Sequence, residues 1–140
     1  MNGVSDLELD PVYRSMEIAG ERLGDIADAV YGRYFGQDGE AAELMAHMDP
    51  YTRGRMLQEV LRLLMSEDYD SETEYLRFEV KNHQQAYRVR PRMYRELLEA
   101  VRDTVAAGLT AEWDAELAMA WDARIEALVT AVDAHMDPLS

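Results

Sequence analysis

The chain contains no cysteine, and basic residues are scarce in it. The absence of cysteine excludes a disulfide framework, a thiolate nucleophile, and zinc or iron–sulfur sites held by cysteine. Any metal chemistry must therefore use histidine, carboxylates or a bound cofactor. The 140 residues suffice for one domain with its own apolar core. We expect a single domain over 1–140, with an ordered helical core over about residues 9–136.

Acidic residues outnumber basic ones by 28 to 14, which gives a formal net charge of −14 at pH 7. A nucleic-acid-binding face needs basic residues to neutralise phosphates, so we expect no nucleic acid as the main partner. An anionic membrane surface is disfavoured for the same reason, and no stretch approaches about 18 uncharged apolar residues. Residues 1–10 carry three acids and lack the basic segment of a signal peptide, which favours a cytoplasmic location.

Apolar residues recur at three- and four-residue steps along most of the chain, which predicts helices rather than strands. The first helical stretch is interrupted near Gly20 and Gly24, because glycine weakens a helix interior, and it is predicted as two helices. Asp49 supplies a cap and Pro50 a first helical residue for a helix that runs to Met65.

Turn and cap residues divide the remainder of the chain. Residues 36–39 predict a turn before a short helical piece over 41–47, and the acidic stretch 66–73 predicts a loop. Pro91 ends one helix and begins the next, which runs to about Ala107 and closes at Gly108 as a C-cap. Thr110 is the predicted cap of the last helix. The result is an all-α domain of six or seven helices, either a bundle or a packing with crossings of about 50°.

Three local patterns resemble those of one protein family. Residues 30–35 (VYGRYF) resemble the end of helix B in flavohaemoglobins and single-domain bacterial globins. Residues 87–94 (YRVRPRMY) resemble the segment that follows their haem-ligating helix, and the pair Ala120-Trp121 resembles a pair in their last helix. The order and spacing of these patterns over roughly residues 9–136 indicate a globin-like fold.

The resemblance to the globin superfamily implies haem b as the cofactor and His83 as the iron ligand, with its second ring nitrogen held by an acceptor. An alignment without a gap places Gln84 at that position instead, and the spacing to Trp121 agrees with it. One residue rotates a helix by about 100°, so the two side chains cannot face the same pocket without a change of register. An insertion absorbed at Gln84-Gln85 would restore His83, which we favour.

On the opposite side of the implied pocket, Tyr31 matches a tyrosine that donates a hydrogen bond to bound oxygen in bacterial globins. The alternative is a core tyrosine bonded to a backbone carbonyl. Arg53, or Thr52 if the preceding gap is placed differently, falls at the distal position of helix E. The resemblance implies that the ring is enclosed by Met45, Leu57 and Val80. Met45 stands where these globins usually have a phenylalanine.

Six basic residues are concentrated between Arg77 and Arg95 in an otherwise acidic chain. Most of them are expected on a solvated helix surface, but the resemblance implies that Arg88 and Arg90 contact the haem propionates. Tyr94 matches a tyrosine on the proximal side of flavohaemoglobins. The glutamate with which that tyrosine is paired corresponds to about Met136 in this chain.

These residues predict a haem protein that binds O2, NO or a related diatomic ligand, for sensing, storage or detoxification. The alternative is a haem-free globin that acts as a regulatory or partner-binding module, which Gln84 and Met45 would suit. The chain ends without a flavin or nicotinamide domain, so we expect no built-in reductase and a binding protein rather than an enzyme. Two possibilities would involve a partner. One is nitric-oxide dioxygenation with an external reductase, and the other is a homodimer.

Overall fold

The computed structural model describes residues 10–46, 48–65, 74, 76 and 91–134. These residues form helices without any strand, which confirms the predicted all-α class. We number the helices α1 (Pro11–Leu23), α2 (Ala27–Gln37), α3 (Gly39–Met45), α4 (Pro50–Leu64), α5 (Pro91–Leu109) and α6 (Ala115–Asp133), with a 3-10 turn at Thr110–Glu112 before α6. Glu74 and Leu76 are also helical. Within the described ranges, no helix combines the length and apolar character needed to span a membrane.

Aspartates begin four of these helices. Asp10, Asp38, Asp49 and Asp114 each accept a hydrogen bond from a backbone N–H two or three residues later, at 2.7 to 3.1 Å. Such bonds satisfy amides that have no partner within the first turn of a helix. The predicted start of α4 at Asp49 and Pro50 is confirmed.

The interruption between the first two helices is confirmed at Gly24. Its φ of 71° lies in the left-handed region, where glycine avoids the clash that a Cβ would make. The Gly24 amide donates to the carbonyl of Gly20 at 2.9 Å, and α2 begins three residues later at Ala27. Gly20 itself lies within α1.

The predicted boundary between the last two long helices is wrong. Helix α5 continues through Gly108 to Leu109, and Asp114 rather than Thr110 caps α6. A Cβ at Gly108 would lie 2.9 Å from Cδ1 of Leu23, so the glycine allows α1 to approach α5 closely. Among the described residues other than glycine, Thr110 has a positive φ, 54°, where the chain leaves the helix for the 3-10 turn.

Helix α5 occupies the centre of the fold and packs against α1, α2 and α6. Trp121 of α6 is fully buried, and its indole Nε1 donates to Oγ of Ser15 at 2.9 Å. The Ser15 hydroxyl in turn donates to the carbonyl of Val12 at 2.7 Å. This chain of two hydrogen bonds satisfies the only polar atom of the indole ring within the core.

A second link joins three distant parts of the chain. The guanidinium of Arg124 in α6 donates to the carbonyl of Leu64, the last residue of α4, and forms an ion pair with Asp10 before α1. A cation at the C-terminus of a helix is favourable because the last carbonyls carry partial negative charge. Arg124 therefore fixes the end of α4 relative to α1 and α6.

Candidate functional site

The phenol of Tyr31 is buried between α2 and α4. Its side chain is 4% exposed, and its hydroxyl donates to the backbone carbonyl of Arg53 at 2.9 Å. Burial raises the pKa of Tyr31 to about 12, although the nearby charge of Arg53 opposes the rise. Tyr31 therefore stays protonated at neutral pH, and its one hydroxyl hydrogen is used in joining the two helices.

The side chain of Arg53 turns toward the same region. One terminal nitrogen donates to the carbonyl of Met45 at 3.0 Å, and Cζ lies 5.1 Å from the centroid of the Phe35 ring. The Nε atom is buried and has no hydrogen-bond partner among the described residues. This places a guanidinium group, with a buried Nε that lacks a partner among the described residues, at the inner surface of α4.

Hydrocarbon and aromatic side chains flank this cation. Met45 ends α3 and Leu57 follows Arg53 by one turn of α4, and both are buried. The ring of Phe35 lies 5.6 Å from that of Tyr31. We call the set of Tyr31, Phe35, Met45, Arg53 and Leu57 the Arg53 wall.

Four members of the Arg53 wall were named from the sequence, and Phe35 was not. The sequence does contain a feature that predicts its position: Phe35 follows Tyr31 by four residues and so lies on the same helix face. The ring also provides the surface against which the Arg53 guanidinium packs.

Tyr94 lies on α5, within electrostatic reach of Tyr34 on α2. Burial is the main cause that raises the pKa of Tyr34, and the carboxylates of Asp38 and Glu96 raise it further. Tyr34 in turn lies 6.5 Å from Tyr31, centroid to centroid. Tyr94 is thus connected to the Arg53 wall through a second buried tyrosine.

The predicted iron ligand and its neighbours lie outside the described residues: His83, the alternative Gln84, Val80, Arg88 and Arg90. Their assignments remain predictions. In the ranges that the structure covers, no group of three or more histidine or carboxylate side chains is arranged to hold a metal ion.

Residues 30–132 match the family model described as Globin. The match covers more than half of the chain, begins one residue before Tyr31 and extends into α6. The chain belongs to the globin family. No curated protein and no solved structure matches this globin.

The Arg53 wall of this globin suits a haem group. Phe35, Met45 and Leu57 offer the apolar contacts that the faces of a porphyrin need. The unused Nε donor of Arg53 can meet a negatively charged oxygen, which a propionate or a bound ligand carries. The donor set on this side therefore fits the group that the family implies.

Proposed function

We propose that this globin binds haem b and, on it, a diatomic ligand such as O2 or NO. The observation that carries the proposal is the Arg53 guanidinium, which has an unused buried Nε on an otherwise apolar and aromatic wall. A solvated helix face would instead present such a cation to water. When bound, haem supplies an iron centre that coordinates small molecules.

The residues of the chain have separate proposed roles. His83 would hold the iron through one ring nitrogen, while Val80, Met45 and Leu57 exclude water from the ring faces. Arg88 and Arg90 would bind the propionates by charge-assisted hydrogen bonds, and Tyr94 would line the proximal side. On the distal side, Tyr31 and Arg53 provide the polar groups.

Titration of the purified protein with hemin tests the proposal. We expect a sharp Soret band that shifts on reduction and again on addition of carbon monoxide. His83→Ala should abolish the axial bond and leave the spectrum of loosely held hemin. A colourless protein that does not retain hemin would contradict the proposal.

A matched variant tests the register of the iron-binding helix. If His83 is the ligand, Gln84→His should leave the affinity for hemin nearly unchanged, because the new imidazole faces about 100° away. If Gln84→His converts weak binding into tight binding, the helix has no insertion and the assignment of His83 is wrong.

A haem-free globin that acts as a regulatory or partner-binding module is the second candidate. It is favoured by two hydrogen bonds that engage polar groups of the Arg53 wall with backbone carbonyls of the chain itself. The Tyr31 hydroxyl donates to the Arg53 carbonyl, and the Arg53 guanidinium donates to the Met45 carbonyl. The hemin titration separates the two candidates, since only the first predicts a stoichiometric complex with an axial histidine.

A further inference from the structure

The basic residues of the chain are too few to neutralise its acidic ones. Even if each of the 14 basic residues paired with one acid, 14 carboxylates would remain without a cation. The arginines that form ion pairs with described residues are Arg22, Arg62, Arg95, Arg102 and Arg124. Arg33 and Arg53 donate instead to the Thr104 hydroxyl and the Met45 carbonyl. The excess of negative charge therefore persists after these contacts have formed.

Helix α1 shows the excess locally. Glu17 and Glu21 are both exposed and lie one turn apart, and neither forms an ion pair with another residue that the structure describes. Like charges at this spacing destabilise a helix, and Glu21 lies in the last turn, where the carbonyls carry partial negative charge. The one arginine of that turn, Arg22, contacts the end of α5 and pairs with Glu112.

Salt acts on these two kinds of contact with unequal strength. The distance over which exposed charges interact falls from about 30 Å at 10 mM salt to about 8 Å at 150 mM. Repulsion among many uncompensated carboxylates opposes the compact state, and it is summed over the whole surface. Exposed ion pairs contribute little each, so their weakening by salt offsets only part of the gain.

We infer that mobile cations of the solution stabilise this fold, so that the protein is built for a medium of substantial ionic strength. The cations act as a diffuse atmosphere that reduces repulsion between carboxylates, and they occupy no particular site. The inference goes beyond the proposed function and does not depend on it, because the charges belong to the chain whether or not haem is bound.

Urea unfolding of the purified full chain at pH 7, monitored by far-UV circular dichroism, tests the inference. Between 10 and 200 mM NaCl we expect the urea midpoint to rise by about 0.5 M or more. Potassium chloride and tetramethylammonium chloride at the same ionic strength should give the same midpoints, because screening depends on charge and concentration. A midpoint that stays constant or falls with salt overturns the inference, and so does a rise that only one cation produces.

Two variants distinguish uncompensated carboxylates from paired ones. The double substitution Glu17→Gln and Glu21→Gln should raise the midpoint in 10 mM NaCl and reduce its rise with salt, because it removes repulsion without breaking an ion pair. Glu126→Gln is the matched control, since it removes one exposed carboxylate that pairs with Arg95, and it should not raise the midpoint. If the double substitution lowers the midpoint in 10 mM NaCl, or if Glu126→Gln raises it as much, the inference is overturned.

Discussion

Ser15→Ala tests how a buried aromatic nitrogen contributes to the stability of this fold. The substitution leaves the indole Nε1 of Trp121 without its acceptor at 2.9 Å in a fully buried position. An unsatisfied buried donor costs about 1–3 kcal/mol. The Val12 carbonyl loses the Ser15 hydroxyl but remains within α1, where a helical amide still donates to it. We therefore expect the free energy of unfolding to fall by about 2 kcal/mol and Tm by roughly 6 °C.

Urea unfolding monitored by far-UV circular dichroism measures the change, because fluorescence would report directly on the perturbed indole. Thr130→Ala, on the exposed face of α6, is a suitable control and should alter the stability by less than about 0.5 kcal/mol.

A double-mutant cycle isolates the hydrogen bond itself. In a Trp121→Phe background no indole N–H is left unsatisfied, so Ser15→Ala should cost at least about 1 kcal/mol less than it does in the wild type. If the two costs are equal, or if Ser15→Ala alone costs less than about 0.5 kcal/mol, the bond does not stabilise the core as argued.

Two further predictions concern helix ends. Thr110→Gly should raise the free energy of unfolding by about 1 kcal/mol, because a Cβ is unfavourable at the φ of 54°. Thr110→Ala keeps the Cβ and should give no such gain. Equal stabilities of the two variants in urea unfolding would contradict this prediction. The backbone N–H of Thr52 donates to the Asp49 carboxylate and lowers the pKa of Asp49. The stabilisation of the folded protein by this cap is therefore complete at pH values above the usual aspartate pKa, and it is lost as the pH falls through the lowered pKa. Asp49→Asn keeps an acceptor that does not titrate, and thermal unfolding should show the wild type losing stability relative to this variant only below about pH 4. A difference independent of pH would refute this account of the cap.

Helix positions could be predicted where a cap residue and a proline act together, as at Asp49 and Pro50. The same pair occurs at Asp10 and Pro11 and marks the start of α1 equally well. The start of α6 was mispredicted because two cap residues follow each other. Thr110 comes first in the sequence, but the intervening residues form a 3-10 turn and leave Asp114 to cap the helix.

The members of the Arg53 wall were predictable only in part. The resemblance named Tyr31 and Arg53, and the alternative of a core tyrosine bonded to a backbone carbonyl describes the contact that Tyr31 makes. No side-chain pattern indicates that this carbonyl belongs to a residue 22 positions later. The direction of the Arg53 side chain could not be predicted either, because it depends on the Phe35 ring of α2 and the Met45 carbonyl of α3. Periodicity assigns residues to helix faces, whereas these contacts depend on how the helices cross.

The position of Arg124 has a consequence for the order in which the protein assembles. Its two partners precede it by 60 and 114 residues, so both contacts require the chain to close long loops. During synthesis, Leu64 and Asp10 emerge from the ribosome well before the cation that holds them. The end of α4 and the residue before α1 can thus be fixed in this arrangement only after the first half of α6, up to Arg124, has been released.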